Sequence, residues 1–158
     1  MRRTLWLALA FAAVAAGSAQ AQGTTGSINA TASVVAALSV NGTDLAFGNV
    51  APTSFKTIAP ASGGTFTVTG AASQPVSVTF GLPTTLGNAA VAIGSWTGLS
   101  NSTNTTAGAA ALTPSASAQT LSLSGTGNLY VWIGATVTTT AAPIGAYTAP
   151  VTMTVVYN

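Results

Sequence analysis

The chain offers very little for chemistry. Beyond residue 21 it carries one carboxylate, Asp44, and one ammonium, Lys56, and it has no histidine or cysteine anywhere. A serine or threonine nucleophile needs an adjacent base, and glycoside hydrolysis needs two carboxyl groups. Calcium asks for several oxygen ligands, carboxylates foremost. The chain is therefore expected not to be an enzyme and to hold no metal or cofactor. Asp44, which follows Asn41, Gly42 and Thr43, is expected to stabilise a turn. What remains with recognition chemistry is a set of aromatic side chains, Trp96, Tyr130 and Trp132. They could form a ligand-facing platform that stacks on sugar rings, or they could pack as core or interface residues.

The formal net charge of +2 comes from three basic residues, two of which, Arg2 and Arg3, open the chain. They precede an apolar run over residues 4–17 and a small-residue cleavage site, Ala19-Gln20-Ala21, the pattern of a secretory signal. That run is shorter than the roughly 20 residues a membrane span needs. Residues 1–21 are thus expected to be a cleaved signal peptide and residues 22–158 a single secreted domain, in the periplasm in transit and then at the cell surface or outside. Lys56 balances Asp44 in that mature chain, so nucleic acid is not expected as a partner, because counterion release needs several basic residues. No integral membrane span is expected after cleavage. With no cysteines, stability in an oxidising compartment must come from burial and strand pairing. So few charges give little colloidal repulsion, which favours a chain held by neighbours.

The elements that position these residues follow a period of two. Ala30, Ala32, Val34, Ala36, Leu38 and Val40 alternate with mostly polar neighbours, and Asn41-Gly42 reads as the turn that follows. Leu45, Phe47 and Val50 come next, with Gly48 marking a bulge. Pro52 and residues 59–64 read as loops. Phe66 and Val68 alternate with threonines, and Val76, Val78 and Phe80 share a face after Gln74-Pro75. Val91 and Ile93 give a weaker strand before Trp96. Residues 101–119, rich in Asn, Thr, Ser and Ala, read as a long loop with one short strand at most. Leu121 and Leu123 alternate, and a turn over residues 125–128 follows. Leu129, Val131, Ile133, Ala135 and Val137 then share a face opposite Tyr130 and Trp132. Val151, Met153, Val155 and Tyr157 close the chain, and Pro150 argues for an edge strand or one that begins at Val151. Seven or eight short strands and no convincing helix predict an all-β fold, an immunoglobulin-like antiparallel sandwich.

The two ends carry a family resemblance. The close, GAYTAPVTMTVVYN, has Gly145 fourteenth from the end and a penultimate tyrosine, Tyr157. It resembles the C-terminal β-zipper of chaperone–usher pilins. The start, ATASVVAALSVNGTDLAFGNVAP, resembles bacterial secreted fimbrial and spore-coat protein U domains, with a leucine-x-phenylalanine-glycine element after the first strand. The resemblance implies an incomplete sandwich whose groove a periplasmic chaperone fills in transit. During export an N-terminal extension of the next subunit replaces it by strand addition. It implies strand-complementation roles for Val34, Ala36, Leu38 and Val40 at one end, and for Gly145, Val151, Met153, Val155 and Tyr157 at the other. The partners implied are a homo-polymer or other pilin-like subunits, with a chaperone and usher. The pilins' usual disulfide has no counterpart here.

Only six polar residues, 22–27, precede the first alternating segment, too few to donate. Residues 28–40 are therefore expected either to be donated to a neighbour or to complete their own fold. The expected function is a structural subunit of a surface appendage or coat. The alternative is a monomeric adhesin-like module that binds glycan or matrix through Trp96, Tyr130 and Trp132.

Overall fold

A computed structural model describes residues 24–158, and the expected signal sequence, residues 1–21, lies outside the described residues. Two units are distinguished, Met1–Ser33 and Val34–Asn158. The described part of the first, residues 24–33, has no strand or helix and is exposed throughout.

The second unit is an all-β sandwich of two antiparallel sheets. Among the described residues it has nine strands: β1 (Ser39–Thr43), β2 (Phe55–Ile58), β3 (Gly64–Thr69), β4 (Pro75–Gly81), β5 (Val91–Asn101), β6 (Ala110–Leu112), β7 (Gln119–Ser122), β8 (Asn128–Thr139) and β9 (Thr152–Tyr157). The larger sheet runs β1-β3-β8-β5-β6, with β2 also on β8, and the smaller runs β7-β4-β9. No helix among the described residues is long and apolar enough to cross a membrane.

Alternation explains most of these strands. Val76, Val78 and Phe80 on β4 are buried to 0, 0 and 2% exposure, while Ser77 and Thr79 take the other face. Burying each such apolar side chain contributes about 1.5–3 kcal/mol. β8 is the central strand, flanked by β3 and β2 on one side and β5 on the other. Its residues 131–135 are all buried, the pattern of a strand covered on both faces. The connection from β2 through a 3₁₀ turn, Pro60–Ser62, passes directly over Gly134. A Cβ there would meet the backbone of Ile58, Ala59 and Pro60, so only glycine fits.

The start of the chain departs from its sequence pattern. The first strand does not span residues 30–40; it begins at Ser39, and Asn41-Gly42 lies inside it, paired with Thr67 and Phe66. Alternation over residues 28–34 is present, but among the described residues no strand pairs with it, and alternation alone does not make a ladder. Asp44 therefore follows a strand and stabilises no Asn-Gly turn. Residues 44–54 form a loop in which Gly48, at φ +61°, supplies a left-handed step and not a strand bulge. β2, a four-residue strand beside Pro52, went unassigned in the sequence pattern. The last strand starts at Thr152, two residues after Pro150, and is an edge of the smaller sheet.

The bulge lies elsewhere, in β5. Gly94 pairs with Thr136 and Thr97 with Gly134, so Ser95 and Trp96 together oppose Ala135. Ser95 takes φ +50° to absorb the extra residue. The parity of β5 changes there: Val91 and Ile93 are buried before the bulge, Gly98 and Ser100 after it.

Candidate functional site

The core has two parts, and only one lies between sheets. The first joins Val68, Leu129, Val131 and Ile133 of the larger sheet to Val76, Val78, Phe80 and Met153 of the smaller. The second comprises Phe47, Val91, Ile93, Ala135 and Val137, with no residue from β4, β7 or β9. Loops cover it instead. Leu45 and Val50 pack onto it from the segment after β1, and Ala142 and Tyr147 from the segment between β8 and β9.

Between these two loops runs a cleft of about 1180 Å³, with walls from residues 42–52 and 142–151 and Ile93, Ile133 and Val137 beneath. That exceeds the usual range for a small-molecule pocket, about 300–1,000 Å³. Asp44 is its one ionisable lining residue besides Tyr147. Among the described residues, no backbone–backbone hydrogen bond involves residues 46–50 or 142–150. Apart from the Pro143 carbonyl, which accepts from Tyr147, the main-chain groups of both walls have no backbone partner among the described residues, and such groups recruit an added strand.

Side chains hold the walls in place. Thr139, buried at 8% exposure, accepts from Ser54 N–H at 2.9 Å, and its single hydroxyl proton has two carbonyls within reach, Ala51 (2.8 Å) and Ser54 (3.0 Å). On the other wall, Tyr147 donates to the Pro143 carbonyl at 2.6 Å and closes a short loop around Gly145. Ile144, at its tip, is fully exposed.

The residues expected to serve strand complementation separate into groups. Gly145 and Val151 line the cleft. Met153, Val155 and Tyr157 do not line it; they pack into the first core cluster. Of the early residues, Leu38 packs on that same cluster and Val40 pairs with Val68, so both complete their own domain. Val34, at 96% exposure, and Ala36 stay outside the ladder, as does Ile28 at 96% in the first unit. The segment 28–40 therefore divides near Leu38. The walls at 46–50 and 142–150 were missed from sequence, because an unpaired backbone leaves no mark on residue type.

The three aromatics do not share a face. The bulge turns Trp96 inward, where it packs against both core clusters. Tyr130 and Trp132 lie on the opposite face of β8, stacked with ring centroids 6.2 Å apart and planes at 25°. Trp132 is buried at 7% exposure and Tyr130 is half-buried. Phe55, at 72% exposure, is the most exposed aromatic residue described. Comparison with family models, curated proteins and solved structures returns no match.

Proposed function

We propose that this protein is a secreted, non-enzymatic structural subunit that assembles through strand complementation, as the resemblance to pilin and spore-coat U domains implies. The cleft accepts residues 28–36 of a second copy as an added strand. Support comes chiefly from one observation: a core cluster covered by loops, with one cleft lined by two segments, 46–50 and 142–150, that make no backbone–backbone hydrogen bond among the described residues. A donor for such a cleft must be extended, uncharged and alternating. Ile28, Ala30, Ala32 and Val34 meet that need, with Asn29, Thr31 and Ser33 between them. Main-chain hydrogen bonds supply affinity, and the alternating side chains set register. A periplasmic chaperone occupies the same cleft during export, and assembly takes place at the cell surface.

The test compares the chain from Gln22 with one that starts at Leu38 and keeps all nine strands. Negative-stain microscopy and light scattering should show filaments or ladders for the first and monomers for the second. A peptide of residues 27–37 should bind the shortened chain, and the Ala32→Asp peptide should not. Monomers from both chains, with no peptide binding, would overturn the proposal.

A further inference from the structure

We infer that Tyr157 is a positioning residue that fixes where the free arm ends and the folded domain begins. The inference rests on reading residues 28–36 as a donor arm. The Tyr157 hydroxyl accepts from Ala71 N–H at 2.6 Å and donates to the Ala36 carbonyl at 2.7 Å. One side chain on the last strand thereby ties the β3–β4 turn to the residue at which the arm leaves.

The surroundings fit such an anchor. Tyr157 is itself held, because β9 pairs along β4 up to Val76 and Asn158 N–H donates to the Pro75 carbonyl. The phenol, Leu38 and Leu123 close around Gly70, where a Cβ would collide with the first two and press on the third. Residues 34–37 are exposed, Leu38 is the first half-buried one, and the ladder starts at Ser39. The change from arm to domain thus falls within two residues of the Ala36 carbonyl. Val34, Val35, Ala36, Ala37 and Leu38 include no turn former, so no local sequence signal stops the arm there. The hydroxyl sets its length. Without it, residues 36–38 are free to peel, and the arm offered to a neighbour becomes longer and less defined.

Tyr157→Phe keeps the ring and removes both hydrogen bonds. Hydrogen exchange read by mass spectrometry should accelerate about fivefold or more in β1, Ser39–Thr43, and at Ala71, with β8 unchanged. Equal acceleration throughout β8 would mean a general loss of stability and overturn the inference, as would no change in β1. A second measurement needs no variant. Elastase should trim the wild-type chain to an end near residue 36, and trimming past Ser39 would also overturn it. Light scattering on the same samples reads assembly separately. A chain that stays monomeric at every concentration counts against strand donation, while the exchange result still decides the role of Tyr157.

Discussion

Thr139 shows how much a single uncharged residue does in this chain. It ends β8 at the cleft wall and is shielded from water, and its hydroxyl accepts from one N–H and offers its one proton to the carbonyls of the turn that enters β2. Substitution by valine keeps the shape but leaves the Ser54 N–H without that acceptor. Thr139→Val should cost about 1–3 kcal/mol, the usual range for orphaning a buried polar group, and a urea melt would measure it. Thr138, next along the strand and exposed, is the control: Thr138→Val should shift the same midpoint little. With one carboxylate and one ammonium beyond residue 21, hydroxyls do much of the tying that salt bridges do elsewhere. Ser39 with Thr69 and Thr57 with Thr136 are two further bonded pairs.

At the scale of elements, the β5 bulge decides the fate of Trp96. Because side chains alternate, a one-residue change of register exchanges the two faces of everything beyond it. The extra residue lets Val91, Ile93 and Trp96 all pack on the core. Trp96→Ala should therefore lower stability by about 3 kcal/mol, near the low end for large core truncations because the ring is only half-buried. That outcome, read by thermal melting, would separate Trp96 from a surface platform, whose loss would leave the melting temperature unchanged. Ser95→Gly should stabilise slightly, up to about 1 kcal/mol, by relieving a left-handed backbone in a residue with a Cβ. β2 illustrates the reverse: a strand of four residues with Lys56 inside it has little local signal, and β8 supplies the pairing that makes it a strand.

For the whole molecule, the near absence of charge makes a prediction about conditions. With no histidine or cysteine, no side chain of the domain has an ordinary pKa between about 5 and 8. The assembly we propose, driven by apolar side chains and main-chain hydrogen bonds, should then be flat across that range. Its rate should also change less than about twofold as sodium chloride rises through the range where screening sets in. Sulfate, which strengthens apolar burial, should accelerate it. Light-scattering growth curves in both salts would show this. A steep fall with sodium chloride would point to an electrostatic contact that strand complementation does not need.

Sequence alone determined the features that depend on near neighbours. Alternation at Val76, Val78 and Phe80, or from Leu129 to Val137, requires one buried face whatever the partner, and so announces a strand. The turn over residues 125–128 and the lack of ionisable groups were legible for the same reason: each is a property of residue types in a short window. Only the tertiary structure decided which alternating runs find a partner. Residues 28–34 alternate too, yet no described strand pairs with them, while Ser39–Thr43 pairs through an Asn-Gly that reads locally as a turn. The bulge, the cleft and the Tyr157 anchor all join residues far apart in the chain, up to 121 positions between Ala36 and Tyr157. Strand pairing is a contact between distant segments, and its energy appears in neither segment alone.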